Sequence, residues 1–343
     1  MSAIIIGIEE QTLCAADQRR LRATNCAGAI LFTRNFSSYD QLRTLIEDIR
    51  ACKPDALVCV DHEGGRVQRF MDGFTRIPAM ATFGKIFSER PVLALQLAHA
   101  CGVIIAYELA SLDIDFSFTP VLDLQDSASS VIGERALSAH PAEVSILASA
   151  LRKGLADMGM VAVGKHYPGH GRVCGDSHHV LPHDTRSECE READLAPFLT
   201  QIHDGIEALM PAHIVYPESD GLPAGFSSLM LQRLRDYGFD GAIISDDLDM
   251  AGADIIGDGP AKVQKALTAG ADLTLICNNF VAIDAALAAN YDQPQAKHSQ
   301  TRIAALRHRF QPSNDALQRY NHAKALFNTH YLTLFSHQER SDG

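Results

Sequence analysis

Short, β-rich apolar runs recur along the chain at residues 3–8, 27–32, 56–60, 114–121, 161–163, 208–211, 242–244 and 273–276. Between most of them stand stretches whose apolar positions repeat with a helical period, at 38–51, 92–112, 143–158 and 261–269. Strand alternating with helix predicts an α/β fold, a parallel sheet covered by helices. Eight such units over roughly 280 residues fit a (β/α)8 TIM barrel better than an open doubly wound sheet. No G-x-G-x-x-G follows an early strand, which removes the main signature of a dinucleotide-binding sheet.

Polar residues follow these apolar runs with a regularity that supports the barrel: Thr33 and Arg34, then Asp61, His62 and Glu63, then Lys165 and His166, His213, the run Ser245, Asp246 and Asp247, and finally Cys277, Asn278 and Asn279. In a barrel all these positions converge on one rim, where active sites are built. The pattern changes beyond Asn279. Residues 298–336 are helical in composition and rich in Arg and His, and a polar tail follows. They read as helices packed outside the barrel, so residues 1–343 form one domain with no linker or repeat.

A formal charge of −12 argues against a nucleic-acid or anionic-membrane partner, since both need a basic face. No stretch approaches the ~18 consecutive apolar residues of a membrane span. The apolar 3–8 run is too short for a signal-peptide core, so a cytoplasmic location is expected. The eight cysteines include no C-x-x-C pair and are expected to be reduced. Cys174 stands apart from the others, because it lies in a Gly- and His-rich loop.

That loop is the most chemical part of the chain. K-H-Y-P-G-H-G spans residues 165–171, and D-S-H follows at 176–178. Two residues apart, Asp176 can hold one ring nitrogen of His178 while the other faces a substrate. Lys165 and His166 close an apolar strand, and an inward ammonium there needs an acceptor such as Asp246 or a ligand hydroxyl. Asp246 emerges beside Asp247, and alternation along a strand lets one of the two face the barrel mouth. Its spacing equally suits a helix N-cap. Asp61 and Arg69 frame a glycine-bearing exit from the third strand, either as sugar-hydroxyl ligands or as a pair that shapes the loop. Arg135 is a similar isolated candidate. No H-E-x-x-H or Cys/His quartet is present. His166, His178 and Asp61 are the set from which a barrel-mouth metal site would be drawn.

Taken together, V-D-H-E-G-G-R-V-Q-R (60–69), V-I-G-E-R (131–135), K-H-Y-P-G-H-G (165–171), D-S-H (176–178), M-P-A-H (210–213), S-D-D-L (245–248) and C-N-N (277–279) resemble glycoside hydrolase family 3. The likeness is to its single-domain bacterial β-N-acetylhexosaminidases of peptidoglycan recycling. It implies Asp246 as nucleophile and His178 as acid/base oriented by Asp176. It also implies Asp61, Arg69, Arg135, Lys165 and His166 as ligands of an N-acetylglucosamine (GlcNAc) ring. The implied reaction removes β-linked GlcNAc from 1,6-anhydro-MurNAc and its peptides with retained configuration, without metal or cofactor, in a monomer.

Retention needs a carboxylate on one face of the anomeric carbon and a proton donor on the other. A histidine as donor departs from the usual carboxylic acid, and its near-neutral titration suits both steps. The D-x-x-D-x-D-x-E run of a substrate-assisted route is absent. Glu9, Tyr167, Leu137 and Asp249 depart from the family pattern, which more often has Asp, Phe, an aromatic and a small residue there.

Overall fold

The computed structural model describes residues 2–127, 129–173 and 180–335. The apolar runs form the strands Ile4–Gly7 (β1), Cys26–Leu31 (β2), Leu57–Val60 (β3), Phe116–Ser117 (β4), Val163–Tyr167 (β5), Ala208–Pro211 (β6), Ala242–Asp247 (β7) and Leu273–Ile276 (β8). They order as β4-β3-β2-β1-β8-β7-β6-β5, and the paired strands are parallel. Burial on both faces accounts for their near-continuous apolar sequences. Beyond β4, Val121 bridges Lys165 in parallel, while Leu122 N donates to Lys165 O at 2.7 Å and Val163 N to Thr119 O at 2.9 Å. These bonds join the two ends of the sheet and make it a (β/α)8 barrel.

Three strands differ from their sequence expectation. The 114–121 run is not one strand: its ladder covers Phe116–Ser117, and pairing resumes at Val121 after Pro120, which has no N–H to donate. β5 runs through Lys165 and His166 instead of ending at residue 163. β7 likewise extends through Asp246 and Asp247. In both cases polar residues stay in the ladder because they face the barrel mouth.

Helices over Tyr39–Cys52, Pro91–Ala110, Pro141–Asp157 and Gly259–Ala269 follow the expected segments closely. Pro91–Ala110 corrects one expectation, since its 20 residues are long and apolar enough to cross a membrane by length and composition. Two-thirds of its most apolar window is buried, against neighbours such as Pro141–Asp157 and Asn314–Thr329, so its apolar surface serves the core. Helices Ala296–Ala305 and Asn314–Thr329 pack outside the barrel. Tyr320 stacks on Tyr107 with centroids 4.2 Å apart, and Ser299 Oγ donates to Asp272 at 2.5 Å. The described cysteines are free thiols.

Candidate active site

Six of the eight residues singled out from sequence, Asp61, Arg69, Arg135, Lys165, His166 and Asp246, line one cavity of about 370 Å³ at the C-terminal ends of the strands. Asp176 and His178 lie outside the described residues.

Asp61 leaves β3 into a small hairpin in which His62–Gly64 pairs with Val67–Gln68. Gly64 and Gly65 make its turn at φ 123° and 53°, a region side chains rarely enter. The turn delivers Glu63 into the barrel wall, where it is 1% exposed. Its carboxylate accepts from Arg135 Nε at 2.9 Å and Nη2 at 2.8 Å, and Lys165 Nζ lies 2.6 Å away. Lys165 also donates to Asp61 Oδ1 at 2.8 Å, and Arg69 Nη2 stands 3.5 Å from Asp61 Oδ2. Burial opposes the charge of Glu63, but Arg135 and Lys165 outweigh it and hold the carboxyl far below the ordinary glutamate range. Burial likewise opposes the Lys165 ammonium, and Asp61 and Glu63 overcome it, raising its pKa. Here the Asp61–Arg69 pair both shapes the loop and faces the cavity. Arg135 is no surface residue.

His166 turns Nδ1 to the fully buried Asp123 at 2.7 Å. Asp123 also accepts the main-chain N–H of His166 and, at 2.7 Å, that of His170. This pairing and the Asp61 contacts engage two members of the metal set proposed from sequence. Among the described residues, the grouping with metal-ligand spacing is Glu9, Cys14 and Asp17. It lies elsewhere, and Arg20 already pairs with both of its carboxylates.

Asp246 caps no helix, because the next helical turn, Ala251–Ile256, begins after Met250. Its Oδ1 accepts from Asp247 N at 2.8 Å. Burial raises its pKa, but the imidazoles of His213 and His166, the Asp247 N–H and Lys165 together bring it below the ordinary aspartate value. Asp247 also borders the cavity, so both members of the pair meet it, contrary to simple alternation. Beneath them His213 stacks on Phe226 and donates from Nε2 to Asp247 O at 3.0 Å. Arg34 braces the lining residues Cys277 and Asn278 from behind, donating to Ile8 O at 2.9 Å, Cys277 O at 2.9 Å and Asn278 Oδ1 at 2.8 Å. Gly7 leaves it room: a Cβ there would stand 2.8 Å from Arg34 Nη2.

A carboxylate facing a small, charge-lined cavity at the barrel mouth suits attack on a sugar carbon. Residues 8–307 match the glycosyl hydrolase family 3 N-terminal domain. The chain belongs to glycosyl hydrolase family 3. It is a glycoside hydrolase. A β-hexosaminidase of Nitrosospira multiformis is 46% identical over 322 residues, 92% of this chain and 91% of that protein. One of Methylobacillus flagellatus is 48% identical over 282 residues, 81% of each chain. The crystal structure of NagZ from Neisseria gonorrhoeae in complex with N-trifluoroacetyl-D-glucosamine superposes with a TM-score of 0.87 at 40% identity, covering 95% of this chain and 97% of that one.

Sequence reasoning missed the residues that hold the cavity-facing groups. Glu63 sat inside a quoted motif without a role. Asp123, just past the fourth apolar run, went unmarked, and so did Arg34 and His213 as site residues. The available signal was an acidic residue directly after a buried strand, which in a barrel points at the mouth.

Proposed function

We propose that this chain is a retaining exo-β-N-acetylglucosaminidase that removes terminal β-linked GlcNAc from 1,6-anhydro-MurNAc and its peptides during cytoplasmic cell-wall recycling. The observation that carries this reading is the position of the Asp246 carboxyl at the end of β7, sharing a cavity of about 370 Å³ with Asp61, Arg69, Arg135, Lys165 and His166. The N-trifluoroacetyl-D-glucosamine held by the gonococcal relative supports the sugar class.

In this mechanism Asp246 attacks the anomeric carbon, and His178, oriented by Asp176, protonates the departing oxygen from the other face. The same imidazole then takes a proton from water, which opens the glycosyl–Asp246 ester and restores the β configuration. Lys165, Arg69, Arg135 and Asp61 offer donors and acceptors to ring hydroxyls, and their mutual pairing fixes them before the sugar arrives.

Incubation of the purified protein with GlcNAc-1,6-anhydro-MurNAc tests the reading. Release of GlcNAc with β configuration at early times, followed by proton NMR, is expected. Initial release of the α anomer would exclude retention, and inertness toward every β-GlcNAc substrate would exclude the function.

A further inference from the structure

Three carboxylates, Asp246, Asp247 and Asp249, lie within four residues at the end of β7, and their hydrogen bonds are unequal. Asp249 Oδ2 accepts three successive main-chain N–H groups, from Cys277 at 3.1 Å, Asn278 at 2.7 Å and Asn279 at 2.8 Å. Such a nest concentrates negative charge on Asp249. Asp247 Oδ1 accepts from Asp249 N at 3.0 Å and must share the same Cys277 N–H, at 3.2 Å. Two carboxyl groups thus converge on one donor. The second oxygen, Oδ2, meets Asn278 Nδ2 at 3.4 Å, and the Cys277 thiol adds a weak donor to the same carboxyl.

Among the described residues the nearby cations make no hydrogen bond to the Asp247 carboxyl, although the Arg34 charge acts on it through space. Arg34 gives its donors to main-chain oxygens and to the Asn278 amide. Lys262 is bound to Leu248 O at 2.8 Å and Asp254 Oδ1 at 2.7 Å. His213 reaches the Asp247 carbonyl, not its carboxyl, and the Cys277 thiol, buried and kept from ionising, offers a neutral donor and no positive charge. Asp247 is therefore flanked by the carboxylates of Asp246 and Asp249, with no cation hydrogen-bonded to its own side chain among the described residues. Two like charges this close favour one shared proton. Resting on the reading of the cavity as a GlcNAc site, we propose that Asp247 is a binding residue that works un-ionised, its carboxylic acid donating a hydrogen bond to an oxygen of the bound hexosamine beside the ionised Asp246. Burial, then Asp249 and Asp246, push its pKa up to about 7, which agrees with that assignment.

The neutral acid is a donor, whereas the carboxylate repels hydroxyl lone pairs. Affinity for GlcNAc should therefore be full below neutrality and fall by up to about tenfold per pH unit above it. Calorimetric titration with GlcNAc from pH 5.5 to 9 reads this directly, without turnover. Asp247→Asn, which keeps a donor but cannot ionise, should abolish the breakpoint. Asp247→Ala should weaken binding about three- to tenfold at low pH, the scale of one lost hydrogen bond. Asp249→Asn, or Asp249→Ser if that variant is unstable, should move the breakpoint to lower pH by relieving Asp247 of its neighbour. An unshifted breakpoint in Asp247→Asn would assign the titration to another group and overturn the proposal while leaving the GlcNAc site intact. A wild-type protein that neither binds GlcNAc nor hydrolyses any β-GlcNAc substrate would overturn both.

Discussion

The His166 ring binds the Asp123 carboxylate at 2.7 Å across the line where the two ends of the sheet meet. His166 belongs to β5, and Asp123 follows the extended chain after β4. Asp123→Ala should therefore weaken barrel closure and substrate binding together. Leaving the buried His166 ring and the two main-chain N–H groups without their acceptor costs about 1–3 kcal/mol per group. Urea denaturation and KM measured on the same preparation check this, and a change in KM with unaltered stability would separate the two roles.

Glu63 carries a comparable load. Its folded pKa is far below the unfolded value, so its contribution to stability is full above the unfolded pKa, near 4.3. That contribution is lost as pH falls through the lower folded value. Glu63→Gln should be less stable than wild type at pH 7 and should lose less stability between pH 5 and 3. Chemical denaturation at several acidic pH values gives both slopes.

Asp246→Ala should lower hydrolysis of every β-GlcNAc substrate by at least about 10⁴-fold, whatever the leaving group, because the nucleophile acts in both steps. Mass spectrometry after a slow fluorosugar should find the label on Asp246. Labelling of Asp247 would exchange the roles of the two neighbours.

His178→Ala should lose about 10²–10⁴-fold on the natural disaccharide. The loss should be smaller in the glycosylation step with nitrophenyl-GlcNAc, whose leaving group needs little protonation. The intermediate should accumulate, and azide should speed its breakdown. Equal losses on both substrates without azide rescue would leave His178 only a loop-shaping role.

The legible part of this protein was its periodicity and its motifs. Eight β-rich runs separated by helical stretches led to the barrel, and polar residues at the strand ends led to the rim. The strand ends themselves were misjudged because Lys165, His166, Asp246 and Asp247 look like loop residues in any protein whose strands do not end at a charged mouth. The partners of these groups were hidden for a different reason. Lys165 meets Asp61 104 residues away, and Arg135 meets Glu63 72 residues away. No local pattern reports contacts of that separation. The Lys165–Asp61 contact exists only once the barrel has closed.

Closure has a further consequence at the line between β4 and β5. Asp61, Glu63 and Asp123 come from the first half of the chain, and Lys165, His166 and Asp246 from the second. Neither half alone lines the cavity proposed to take the sugar, so on that reading a nascent chain binds no ligand until both have been synthesised and joined. A sugar in the cavity touches both halves and must act as a latch: whatever free energy it gains on binding is withheld from opening the seam. Two fragments divided near residue 160 should accordingly reassociate more tightly when GlcNAc is present.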